Sequence, residues 1–148
     1  MVFVALQAIA YCSVALPTIF QKKCGKEVVN GLLNLVGKNP CLRLQAMAAS
    51  CLGQFCATEM ITKKIFTNTL PNLVNWLMTL CSVNQPAVQT EAINAIGFLC
   101  RATKDDFSPF FHNIVQGLLQ ILGSPVQNDT IQVHVAASVS LCRYIVFW

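Results

Sequence analysis

Apolar residues recur along this chain in paired segments, and the pairs themselves repeat. Residues 74–81 read VNWLMTLC, with near copies at residues 29–36, VNGLLNLV, and 115–122, VQGLLQIL. The copies start at Val29, Val74 and Val115, so they lie 45 and 41 residues apart. A second, Ala-rich apolar segment follows each one. In it Leu44, Ala48, Leu52 and Phe55 stand at offsets 0, 4, 8 and 11, which on a helix is a single face. Val88, Ala92, Ile96 and Leu99 repeat those offsets, as do Ile131, Val135, Val139 and Cys142, and the three stripes start 44 and 43 residues apart. Two independent columns thus agree on a unit of about 43 residues. The unit is a pair of helices, which buries its apolar faces by stacking on its neighbours.

Proline, glycine and capping residues set the expected boundaries. A first helix spans about residues 3–16 and is closed by Pro17, which lacks an amide hydrogen. The basic stretch 21–26, QKKCGK, reads as a connector. The first full unit covers about residues 27–57, its first helix stopping near Gly37 and its second opening with Asn39 as cap and Pro40 in the first turn. The second covers about 69–101, with Pro71 and Pro86 opening its two helices. The third covers about 109–145, with Ser108 and Pro109 as cap and first turn, a stop at Gly123-Ser124-Pro125, and Asp129 with Gln132 as a capping box. Residues 1–20 form a half-unit, so residues 1–148 read as a single domain of helical repeats that is part of a longer solenoid. Gly53, Gly97 and Ser140 share one position, where a small side chain lets helices approach closely. The pairs Asn30/Asn34, Asn75/Thr79 and Gln116/Gln120 mark a solvated, nearly uncharged face of the first helices. Gln45, Gln89 and Gln132 form a column suited to holding turns by hydrogen bonds.

Composition sharpens this picture. The chain is 55% hydrophobic and only 11% charged, too little charge to cover a compact body of its size, so part of its apolar surface is meant for more protein or for membrane. Residues 1–20, MVFVALQAIAYCSVALPTIF, have the length of a signal peptide or anchor. No Lys or Arg precedes the run and Gln7 interrupts it, so it reads as a buried helix, the second half of a unit. Of the net charge of +4, Lys22, Lys23, Lys26, Lys38, Arg43, Lys63 and Lys64 fall in the first half, opposed there by Glu27 and Glu59. Scattered surface lysines explain this more simply than a nucleic-acid site. The cysteines Cys51, Cys56, Cys81, Cys100 and Cys142 lie in the apolar patterns, as reduced core thiols of a cytoplasmic or nuclear protein do. Asn128-Asp129-Thr130 matches a glycosylation sequon, which matters only after secretion.

Enzymatic constellations do not assemble. His112 and His134 belong to separate units, and Asp105-Asp106 fits the charge preference of a helix N-terminus. Cys51 and Cys56 lack the second ligand pair of a zinc site. Gly25, Gly31 and Gly37 lack the Lys-Ser or Lys-Thr of a phosphate loop. The expectation is no catalysis, no cofactor, no metal and no small-molecule substrate.

Residues 73–77, LVNWL, followed by 91–97, EAINAIG, and the related 44–56, LQAMAASCLGQFC, resemble the HEAT and armadillo superfamily of α-solenoids. The resemblance covers about residues 27–145 and implies an all-α fold, a right-handed α-solenoid of HEAT/armadillo-like helical repeats, with the second helix of each unit lining a concave binding surface. Armadillo carriers of nuclear localisation peptides hold their cargo with repeated Asn residues. Here Asn94 is the one match, with Ser50 and Ala137 at the equivalent positions and Trp76 in a first helix, so that pattern is not met.

The polar side of the second helices is where a partner would bind. Arg43, Met47, Ser50 and Gln54 align with Ala87, Glu91, Asn94 and Phe98, then with Thr130, His134, Ala137 and Leu141. Arg43, Met47, Gln54, Glu91, Asn94, Phe98 and His134 are the candidate protein-binding residues. The expected function is a non-enzymatic scaffold for protein–protein interaction that binds a peptide or a helical partner. A fragment of a HEAT-type nuclear transport receptor and a membrane-associated helical protein are the alternatives.

Overall fold

A computed structural model describes residues 1–57, 63–124 and 129–146, with side chains described up to Ser140 apart from those of Lys63 and Thr130. The described residues form seven α-helices and no strand: α1 (Val2–Ala15), α2 (Pro17–Lys38), α3 (Leu42–Ala57), α4 (Leu70–Cys81), α5 (Pro86–Thr103), α6 (Ser108–Leu122) and α7 (Asp129–Val146). Short 3-10 turns stand at Lys63–Ile65 and Lys104–Phe107. Asn128, the first residue of the sequon, lies outside the described residues.

The helices stack in two layers. Helices α1, α3, α5 and α7 lie side by side, with α3 against α5 the most extensive contact, and α2, α4 and α6 pack on them as the first members of the pairs α2/α3, α4/α5 and α6/α7. The core is one continuous band. Leu44, Ala48, Leu52 and Phe55 of α3 and Val88, Ala92, Ile96 and Leu99 of α5 are buried, as the offsets require. Facing them are Val29 and Leu32 of α2 and Leu73 and Leu77 of α4. The layer of second helices closes tightly because its facing residues are small: a methyl group at Gly53 would lie 3.5 Å from the Ala95 Cα, an ordinary van der Waals distance. Phe55 anchors the first unit, its ring edge-on to Phe20 and Phe66, each with centroids 6.4 Å away.

Several boundaries differ from the pattern's reading. The 21–26 stretch is helical, because α2 starts at Pro17 and runs to Lys38. Gln21 and Gly25 form a buried stripe with Val28 and Leu32, while Lys22, Lys23 and Lys26 are solvent-exposed. The Gln21 amide donates to the Phe55 carbonyl at 3.3 Å, and Gly25 leaves the space that Ile65 fills. Gly37 therefore lies inside the helix. Pro40 stands ahead of α3, and the Asn39 Oδ1 accepts from the Cys41 amide at 3.1 Å, capping a turn. Ser108 is the first residue of α6; the preceding 3-10 turn runs into it without a side-chain cap. Helix α5 extends to Thr103, after which Lys104 takes φ 49° and ψ −117°. Helix α1 is less buried than expected: Leu6 and Ser13 are covered, while Val4, Tyr11 and Val14 are exposed.

Candidate functional site

The open side of the second-helix layer is built by helical offset. On α3, Arg43 and Gln54 are exposed and Met47 and Ser50 half-buried; on α5, Ala87 is exposed and Glu91, Asn94 and Phe98 half-buried; on α7, His134 is half-buried and Ala137 exposed. Spacings of three and four residues keep each set on one side of its helix, and the stacking of α3, α5 and α7 turns the sets into rows. The Thr130 and Leu141 side chains that complete two of these rows lie outside the described residues.

Two of the candidate residues share a concavity. A groove of about 190 Å³ between α1 and α3 is lined by Gln7, Met47, Ser50 and Gln54, with Leu6, Ala10 and Cys51. Burial pushes the Cys51 thiol from its ordinary 9.0 up to about 11, so at neutral pH it is a protonated, weakly reactive group. Cys56 is raised further, first by burial and then by its proximity to Cys51; burial lifts Cys81 to about 12. The groove thus offers amide and hydroxyl groups beside a methionine, chemistry suited to a neutral peptide.

The remaining candidates are divided among local tasks. The Arg43 guanidinium sits 5.7 Å from the centre of the Phe3 ring, tying α3 to α1 by a cation–π contact. Phe98 packs toward Gly53 across the joint and carries the Arg101 guanidinium 5.8 Å from its ring centre. Glu91 and Asn94 stand one turn apart on α5, and His134 stands on α7. The stripe carries Arg43 and Glu91 as its charged residues.

Residues with no warning in the candidate list do much of the positioning. Arg101 donates to the Ala57 carbonyl at 2.6 Å, bridging α5 to the end of α3. Ser138, buried, donates to the Ile93 carbonyl at 2.8 Å and ties α7 to α5. The glutamine column works as expected in two units: Gln45 donates to the Asn39 carbonyl at 2.9 Å and accepts from the Trp76 indole at 3.3 Å, and Gln89 donates to the Cys81 carbonyl at 3.0 Å. Gln7 is visible in the sequence only as the polar break in the first apolar run.

Among the described residues no three His, Cys, Asp or Glu residues are grouped so as to hold a metal ion. No described helix is long and apolar enough to cross a membrane.

Comparison with known proteins follows the architecture. No model of a protein family matches the chain. Importin subunit beta-3 of Saccharomyces cerevisiae is 26% identical over 102 residues, which is 69% of this chain and 9% of the relative. The crystal structure of the karyopherin Kap121p bound to the SUMO protease Ulp1p superposes with a TM-score of 0.88 at 21% identity, over 97% of this chain and 14% of that one. The chain therefore spans a small part of the length of the proteins it matches. Its fold is an all-α solenoid of the HEAT/armadillo kind.

Proposed function

We propose that this chain is a protein-interaction scaffold, and that its binding surface is the open side of the second-helix layer. The observation that carries the reading is the groove between α1 and α3, where Gln7, Met47, Ser50 and Gln54 leave polar and apolar groups together on a surface held by a closely packed layer. Rigid helices present such groups at fixed spacing, and an extended or helical peptide gains affinity from that preorganisation. On this reading Arg43, Met47, Gln54, Glu91, Asn94, Phe98 and His134 contribute contacts along the surface.

A finer reading is that the chain acts as a segment of a karyopherin-type transport receptor, working in the cytoplasm and nucleus. Its support is the likeness to importin subunit beta-3 and to Kap121p, the latter solved with a protein bound. The experiment is proximity labelling in cells, with the captured proteins then purified and titrated against the chain. A partner that binds directly, and binds at least about tenfold more weakly when Glu91→Ala and Asn94→Ala are combined, supports the scaffold. A partner whose affinity ignores both changes places recognition elsewhere. Binding of a small nuclear GTPase or of Phe-Gly repeats supports the finer reading, and failure of both removes it while leaving the scaffold standing.

A further inference from the structure

The exposed side of the first-helix layer carries its charge unevenly. Aligned on Val29, Val74 and Val115, the first-helix segments put Ile19, Lys22, Lys23 and Lys26 of α2 in register with Lys64, Thr67, Asn68 and Pro71, and then with Asp105, Ser108, Pro109 and His112. All of these residues are exposed, while Gln21, Phe66 and Phe107, which share one position among them, are buried. The middle set stays exposed with a helix pair on either side of it, so this row belongs to the outer surface of the array itself.

Along the row the charge changes sign. Ile65 packs onto Gly25, its Cδ1 2.8 Å from where a Cβ would stand, which brings the neighbouring Lys64 to the same end as Lys22, Lys23 and Lys26. Four of the chain's 10 Lys and Arg residues thus gather at one end, and among the described residues none of these four meets a carboxylate. Glu27, next in sequence to Lys26, lines the groove between α1 and α2 instead. Ile19, 57% exposed, stands one helical turn before Lys22 and Lys23. At the far end Asp105 and Asp106 outnumber Lys104, and all three are exposed. We propose that the α2 end of this row binds a short acidic peptide in extended form, its carboxylates on Lys22, Lys23 and Lys26 and one apolar side chain on Ile19. Alternate residues of an extended strand lie about 6.6 Å apart, and residues four apart on a helix about 6 Å. An apolar residue followed by acidic residues at the second and fourth positions after it therefore keeps step with α2. A bilayer or a nucleic-acid duplex is broad or long enough to reach the third unit, where the acidic balance opposes it, whereas a short peptide ends before that point. Val4 and Tyr11 of α1 are exposed as well, so lipid vesicles form one arm of the test.

The test titrates the full chain into a fluorescein-labelled peptide with one Leu followed by three Glu at alternate positions, separated by Ser, in about 0.1 M salt. Saturable binding is expected, weakening as salt rises and lost when Gln replaces Glu in the peptide. Lys22→Gln, Lys23→Gln and Lys26→Gln together, all at exposed positions, should retain the native melting curve and weaken binding about tenfold or more. Ile19→Ser should weaken it about threefold. Lys38→Gln with Lys104→Gln removes two exposed positive charges elsewhere and should leave the affinity within about twofold. Absence of saturable binding, equal binding of the Gln peptide, full affinity in the triple variant, or an equal loss in the variant altered at Lys38 and Lys104 overturns the proposal. Tighter binding to vesicles of phosphatidylserine and phosphatidylcholine, or to duplex DNA, than to the peptide, abolished by the same three substitutions, overturns it in favour of a lipid surface or a nucleic acid. Glu91 and Asn94 belong to the other layer, so failure here leaves the second-helix binding surface untouched.

Discussion

In the middle of the array nothing of the second helices' inward side is left open: Ala95 of α5 is fully buried where it meets Gly53 of α3, and Leu44, Ala48 and Phe55 are 3%, 0% and 0% exposed. One repeat length back in the same register, Met1 just ahead of α1 and Ala5 and Cys12 within it are exposed. The residues at the two places are similar in kind. What differs is whether a neighbour is present on both sides, so burial in a stacked array belongs to the joint between units and cannot be assigned from one segment's hydrophobicity.

The largest expected effect tests that difference directly. Leu52→Ala removes a fully buried side chain and should destabilise the chain by about 2–5 kcal/mol in urea denaturation, whereas Val14→Ala, at a site 63% exposed, should stay within about 0.5 kcal/mol. Equal effects would mean that the end of the array is as tightly covered as its middle.

Thiol chemistry offers a finer probe. Raising Cys51 from its ordinary 9.0 to about 11 lowers its thiolate fraction at pH 8 about hundredfold. Exposed Cys12 and Cys41 should therefore be alkylated well before Cys51 and Cys81, as read by mass spectrometry of a time course. Modification of Cys51 at the rate of Cys12 would show that the α1/α3 joint opens readily. The smallest expected change concerns the close approach of helices. Gly53→Leu should cost about 1–3 kcal/mol by overpacking against Ala95 and Phe98, while Gly53→Ala, whose added methyl meets ordinary contacts, should be nearly neutral. A harmless Leu would mean that the joint is looser than its distances indicate.

The helix pairs were legible because α3 and α5 carry their buried stripes at fixed offsets, α7 starts one with Ile131 and Val135, and Pro71, Pro86 and Pro109 fall in the opening turns of their helices. The start of α2 was not legible. Its lysines concealed a buried stripe that exists only because Gln21 meets Phe55, 34 residues away in sequence. The same limit applies to the candidate site. Offsets alone yield the rows across α3, α5 and α7, but the pairing of Arg43 with Phe3 depends on how α1 lies against α3, and the bond from Arg101 to Ala57 spans two units. Periodicity reports which side of a helix faces inward; it does not report which individual groups meet across a joint.

The bonds that fasten α3 to the next helix pair have a mechanical consequence. Near its start, Gln45 accepts from Trp76; at its end, Ala57 accepts from Arg101. Trp76 and Arg101 both belong to the next helix pair, and the two fastenings lie about 18 Å apart along α3 at the helical rise per residue. A beam fixed at two separated points cannot swivel about either, so torque applied to one pair is passed to the next. Trp76→Phe with Arg101→Met would leave the greasy contact between the pairs and remove both fastenings, and faster amide exchange on facing turns of α3 and α5 would register the slack. Unchanged exchange would mean that close packing alone carries the torsional load.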